Sequence, residues 1–214
     1  MTIVVYEGVF DPPHILHMWL AQLAAESNLV SCPEDIKVIV VPSSDKAAAL
    51  CSHKNKVTSQ DLRLSMCRES FKDLHPSIIV SDIAIKLGLV YTVDVLSTLQ
   101  SLWPSEKDTW FWLCGSDWVK SLSTFHDRER IEAMVKYLIV EREGFSLTSM
   151  TSLLPTIAIA NLIMDRTGAV LENPFVSNLS STFIRDRVKN GKSIVPFVAP
   201  YVDSFIKKQI LYKD

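Results

Sequence analysis

Two β-branched runs, Ile3–Tyr6 and Ile36–Val41, flank a stretch in which Leu16, Leu20, Leu23 and Ala24 recur at helical spacing. A strand, a helix and a second strand over about 40 residues make a βαβ unit, and strands joined this way lie parallel. The second run stops at Pro42-Ser43, as a central strand must when its next residue cannot donate to the ladder. The same alternation continues. Ile78–Ser81, Thr109–Cys114 and Tyr137–Val140 are predicted strands, while Leu62–Phe71, Val93–Leu102 and Arg128–Val135 are predicted helices. This order implies an α/β fold, a parallel sheet with helices on both faces.

Between Pro42 and Ser59 no periodicity is visible, and Lys46, His53, Lys54 and Lys56 occur there, so a long loop over the carboxyl edge of the sheet is expected. Towards the end, Ser180-Ser181-Thr182 precedes a helix marked by Ile184 and Val188 that stops at Asn190-Gly191. Pro200 then opens a last amphipathic helix reaching Tyr212, which makes a small C-terminal helical segment. No repeat, low-complexity tract or linker divides the chain, so residues 1–214 are expected to form a single domain.

A net charge of −2 leaves no basic excess to hold a phosphate backbone, and no nucleic-acid partner is expected. The apolar stretch Leu153–Met164 is interrupted by Pro155, Thr156 and Asn161 and is shorter than the roughly 20 residues a membrane span needs. Cys32, Cys51, Cys67 and Cys114 form no CxxC pair, which favours reduced, structural thiols and a cytoplasmic location.

Chemistry concentrates at predicted strand ends. Gly8-Val9-Phe10-Asp11-Pro12-Pro13-His14-Ile15-Leu16-His17 follows the first strand, with a glycine for close backbone approach and prolines to stiffen the way into the helix. His14 and His17 are three residues apart, on one face of the first helical turn, where imidazoles and free N–H groups can meet an anion. A zinc reading of this pair lacks a nearby third ligand. Ser180-Ser181-Thr182-Phe183-Ile184-Arg185 offers three hydroxyls and an arginine at another helix start, which serves either as an ordinary N-cap or as a phosphate site. Gly115-Ser116-Asp117 ends the Thr109–Cys114 strand, and His53-Lys54 lies in the long loop.

Together these segments resemble the nucleotidylyltransferase superfamily, and within it the nicotinate/nicotinamide mononucleotide adenylyltransferases. GVFDPPHILH is similar to that family's GxFDPxHxxH signature and SSTFIR to its SSTxIR signature. YTVDVL, GSDWVKSLSTF, VEREGF and the closing GKSIVPFVAPYVDSFIKKQILY resemble further family segments in the same order. The resemblance implies a Rossmann-like doubly wound parallel sheet. It implies transfer of AMP from ATP to nicotinate or nicotinamide mononucleotide, forming the dinucleotide and pyrophosphate in NAD biosynthesis, with Mg²⁺ bridging substrate phosphates rather than held by protein ligands.

By this resemblance His14, His17, Lys54 and Arg185 carry catalysis. Gly8, Val9, Phe10, Gly115 and Asp117, with Ser180, Ser181 and Thr182, join the histidines and Arg185 in binding ATP. Tyr91, Thr92, Trp118, Phe125 and Arg142 line the pocket for the pyridine mononucleotide. Four positions depart from the family pattern: Glu7 stands for its first glycine, Leu16 for the glycine of HxGH, Val95 for a threonine and Phe125 for a tryptophan. An acidic Glu7 beside a phosphate site is expected to point away or to meet a cation. Two other readings stay open: a superfamily enzyme with another phosphate acceptor (phosphopantetheine, FMN or a phosphorylated alcohol), and a non-catalytic nucleotide-binding module. The choice between nicotinate and nicotinamide is open as well, as is the oligomeric state, a homo-oligomer included.

Overall fold

A computed structural model describes residues 1–27, 36–51, 57–104, 107–140, 159–161 and 179–213. Six parallel strands, β1 (Thr2–Gly8), β2 (Ile36–Pro42), β3 (Ile78–Val80), β4 (Thr109–Gly115), β5 (Lys136–Val140) and β6 (Ile159–Asn161), lie in the order β3-β2-β1-β4-β5-β6. β1 pairs with β2 from Thr2 opposite Ile36 to Gly8 opposite Pro42, and with β4 from Thr2 opposite Thr109 to Val5 opposite Trp112. The order reverses between β1 and β4, and in an open parallel sheet the crevice beyond the carboxyl ends at such a reversal is where ligands bind.

The β-branched strands bury both faces, as crossover helices require. Ile3 and Val5 of β1 point to one side, where they join Trp112 and Tyr137 beneath α4 (Ile83–Lys86), α5 (Thr92–Leu102) and α6 (Arg128–Met134). Val4 and Tyr6 point to the other, against Leu20 and Ala24 of α1 (Ile15–Ala25) and Phe71 of α3 (Gln60–Phe71). Burial of each such leucine or phenylalanine contributes about 1.5–3 kcal/mol. A third cluster, with Met66, Ile184, Val198, Val202 and Ile206, ties α3 to α7 (Ser181–Lys189) and α8 (Pro200–Lys208). The doubly wound sheet and its C-terminal helical segment are therefore as the sequence implies.

Local departures have local causes. The stretch read as one long loop contains α2 (Asp45–Cys51), too short to display a period. Ser44 starts it by accepting the Ala47 N–H at 3.2 Å and donating to the Leu89 carbonyl at 2.6 Å. The last helix ends at Lys208 rather than reaching Tyr212, because Ile210 and Tyr212 take positive φ values of 52° and 60°. The short elements α4 and β6 lack a readable period, as does the 3₁₀ stretch Ser116–Thr124. No helix among the described residues is long and apolar enough to cross a membrane.

Candidate active site

The end of β1 builds the site. Phe10 adopts φ 50°, an uncommon conformation for a residue with a side chain, and the Asp11–Pro12 peptide is cis. Phe10 turns its ring back under the strand, edge-on to Tyr6 at 5.4 Å, to His17 at 5.0 Å and to Phe71 at 5.9 Å. A Cβ on Gly8 would approach this ring to 3.1 Å. The glycine thus makes room for the Phe10 ring at the cavity wall.

His14 is the N-cap of α1 and is buried, and its imidazole stacks on that of half-buried His17 with centroids 3.6 Å apart. The His14 backbone N–H donates to His17 Nδ1 at 3.2 Å. Because that nitrogen accepts, a neutral His17 carries its proton on Nε2.

The second motif docks onto the first across most of the chain. Ser181 Oγ donates to the Pro12 carbonyl at 2.8 Å, Arg185 Nη1 donates to the Asp11 carbonyl, and Arg185 Nη2 donates to Thr182 Oγ1 at 3.0 Å. Ser180 accepts the Phe183 N–H at 3.2 Å as the α7 N-cap. Ser180, Ser181 and Thr182 line the cavity below, whereas Arg185 braces the loop from behind.

Two residues that the sequence did not single out hold this loop. Arg63 is completely buried; it donates to the carbonyls of Val9 at 2.7 Å, Ser43 at 2.8 Å and Thr58 at 2.8 Å and pairs with Asp45 at 3.1 Å. Tyr212 Oη donates to Asp11 Oδ1 at 2.6 Å, and the Thr58 N–H reaches Asp11 Oδ2 at 3.3 Å. Their partners are carbonyls and a carboxylate remote in sequence, so composition and periodicity carry no sign of them.

A cavity of about 770 Å³ opens at the switch point between β1 and β4. One half carries His14, His17 and the Ser180–Thr182 hydroxyls. The other is aromatic: Tyr91, Trp112, Trp118 and Phe125 line it, with Thr92 at the first residue of α5. Trp118 meets Phe125 edge-on at 5.8 Å, and Tyr91 stacks on His126 at 4.1 Å. His126 and Trp112 were not anticipated; their adjacency to Phe125 and to the centre of β4 was the available signal. Gly8, Val9, Phe10 and Gly115 also line the cavity. Lys54 and Arg142 lie outside the described residues, and Asp117 is described by its backbone alone.

Glu7 points away from the histidines. By strand alternation it continues the Ile3/Val5 face towards α5, where the Thr92 hydroxyl bonds its carboxyl group. Its Oε2 is closed to solvent and has no hydrogen-bond partner among the described residues. Burial pushes its pKa up to about 7, the Thr92 bond partly opposing. Val95 lies on the buried face of α5, in the core, and Leu16 is buried at the cavity wall.

Among the described residues no group of three or more His, Cys, Asp or Glu side chains could hold a metal ion. Asp11, the acidic residue nearest the histidines in the loop, has both oxygens engaged.

A 3-2-1-4-5-6 parallel sheet with a ligand-sized cleft at its switch point is the architecture of the doubly wound nucleotide-binding proteins. Within that class the chain belongs to the cytidylyltransferase-like family, whose model matches residues 5–187. It is 31% identical over 209 residues to a probable nicotinate-nucleotide adenylyltransferase of Halalkalibacterium halodurans, covering 96% of this chain and 88% of that protein. A protein of the same designation from Fusobacterium nucleatum is 29% identical over 214 residues, covering 99% and 100%. The fold is shared with the Plasmodium falciparum nicotinic acid mononucleotide adenylyltransferase solved in complex with NaAD, at TM-score 0.75 and 20% identity over 99% of this chain and 97% of that one.

Proposed function

We propose that this chain, acting as one domain over residues 1–214, transfers AMP from ATP to nicotinate mononucleotide, forming the dinucleotide and pyrophosphate. The observation that carries the reading is the convergence of His14, His17 and the Ser180–Thr182 hydroxyls on one half of a cavity whose other half is aromatic. The relatives named nicotinate-nucleotide adenylyltransferase support the choice of reaction and acceptor.

The acceptor's 5′-phosphate oxygen attacks the α-phosphorus of ATP in line; the Pα–O bond to the β-phosphate breaks, and pyrophosphate leaves with the electron pair. Such transfers depend on positioning and charge stabilisation. His17 donates its Nε2 proton as a hydrogen bond to the α-phosphate oxygens, and His14 supports it by stacking. The Ser180 and Thr182 hydroxyls, with the backbone N–H groups of Ser181 and its neighbours at the start of α7, hold the β- and γ-phosphates, while the Ser181 hydroxyl stays on the Pro12 carbonyl and fixes the helix start against the loop. Arg185 keeps α7 and the loop in register while adding positive charge, and Lys54 contributes charge from its own segment. Gly8, Val9, Phe10, Gly115 and Asp117 hold the nucleoside. Tyr91, Trp118 and Phe125 stack on the pyridine ring, with Thr92 and Arg142 beside it. Mg²⁺ on the triphosphate would neutralise the charge of the departing pyrophosphate.

The test is pyrophosphate release and dinucleotide formation from ATP, Mg²⁺ and nicotinate or nicotinamide mononucleotide, with phosphopantetheine and FMN alongside. Turnover with a pyridine mononucleotide is expected; turnover only with another acceptor, or with none, overturns the reading.

A further inference from the structure

The aromatic half of the cavity has one acidic group on the strand beneath it, Glu7, at the carboxyl end of β1. Strand alternation turns this residue away from His14 and His17 and towards α5, and the Thr92 hydroxyl ties one side of the carboxyl to the first residue of that helix. Oε2 is out of contact with solvent and unpartnered among the described residues. A buried carboxyl oxygen without a partner is costly, and a ligand group that supplies the partner recovers that cost. A pyridine ring stacked on Phe125 or Trp118 places its single polar substituent against a lining in which Glu7 is the one carboxyl, beside the neutral polar groups of Thr92, Ser121 and Thr124 and the imidazole of His126. Resting on the adenylyl-transfer reading, we propose that the Glu7 carboxyl reads the acceptor's ring substituent, accepting an amide N–H when ionised and donating its own proton to a carboxylate when protonated.

Two facing carboxylates repel, so a nicotinate-type acceptor must bind with a proton on Glu7, whereas a nicotinamide-type acceptor binds best without one. Burial has already moved this carboxyl close to neutrality, so both states are reached near physiological pH. The other titratable groups lining the cavity are Tyr6, His14, His17, Tyr91, Cys114 and His126, and Asp94 lies in the first turn of α5. Groups that act on ATP affect both acceptors alike, as does the 5′-phosphate that both acceptors carry. Their titrations cancel in the ratio of the two kcat/KM values.

The experiment measures that ratio, nicotinate over nicotinamide mononucleotide, from pH 6 to 8.5 in the wild type and in Glu7→Gln. The ratio is expected to fall at least about tenfold across the range in the wild type and to stay within about threefold in the variant. Calorimetry of nicotinate mononucleotide binding at pH 8, in buffers of different ionisation enthalpy, is expected to show uptake of most of one proton by the wild type. This second readout does not depend on the variant folding. Turnover with a pH-independent ratio, or the same pH dependence in Glu7→Gln, or binding without proton uptake overturns the role of Glu7 alone. Absence of turnover with either acceptor overturns the adenylyl-transfer reading and this inference together.

Discussion

Tyr212 and Asp11 are 201 residues apart in sequence, and the phenol of one donates a 2.6 Å hydrogen bond to the carboxylate of the other. The bond attaches the C-terminal tail to the loop that precedes His14, and burial together with Asp11 raises the Tyr212 pKa well above its ordinary range. A charge-assisted bond of this kind contributes about 1.5–3 kcal/mol. Tyr212→Phe is expected to lose that much stability in denaturant melts and to lower kcat several-fold through a looser loop. A double-mutant cycle with Asp11→Asn checks the pairing, and additive effects would refute it.

His17 Nδ1 accepts the His14 N–H at the helix start, and in the proposed reaction its Nε2 donates to the α-phosphate. His17→Ala is expected to reduce kcat by about 10²–10³-fold, the usual cost of one preorganised donor. Asn at this position can keep an acceptor near the His14 N–H but cannot reach where Nε2 lies. His17→Asn should therefore retain wild-type stability while remaining as inactive as the alanine variant; recovered activity would move the catalytic role elsewhere.

Arg63 satisfies three carbonyls in a site closed to water. Arg63→Met leaves those acceptors unpaired in the interior, and a loss of about 3–5 kcal/mol is expected. Lysine keeps the charge but not the planar fork, so Arg63→Lys should recover less than half of the loss. Urea unfolding of both variants decides this, and a fully restored lysine variant would show that charge alone suffices.

Glu7 also couples stability to pH. Its pKa is about 7 in the folded chain against an ordinary 4.5, so between these values the folded state binds more protons and stability falls as pH rises. Below pH 4.5 both states hold the proton and no penalty arises; above pH 7 the penalty is complete. Glu7→Gln, which cannot ionise, is expected to be more stable than wild type by about 1–3 kcal/mol at pH 8 and to lose that advantage near pH 4.5. Melts at the two pH values check this, and a pH-independent difference would contradict it.

Much of the architecture is legible in the chain because its signals are short-range. The β-branched runs at Ile3–Tyr6 and Ile36–Val41 and the aromatic-rich run Thr109–Cys114 are buried strands, and the periodic leucines of α1 and α5 cover them. The two segments GVFDPPHILH and SSTFIR follow the strand-end and helix-start chemistry their residues favour, and the structure brings them into contact. A seven-residue α2 and a three-residue β6 escape such reading because neither spans enough residues to show a period.

Sequence by itself thus determined the alternation that makes a parallel sheet and the polar residues gathered at its strand ends, and it pointed to Tyr91, Trp118 and Phe125, which line the cavity. Only the tertiary structure decided where those residues point. It gave the space at Gly8 to the Phe10 ring, set Arg185 to bracing the loop, and turned Glu7 from the histidines towards Thr92. It also recruited Arg63 and Tyr212, whose partners lie up to 54 and 201 residues away. The physical reason is range: helix and strand periods and caps act over a few residues, whereas a buried hydrogen bond is chosen by which unsatisfied groups packing brings within about 3 Å of each other.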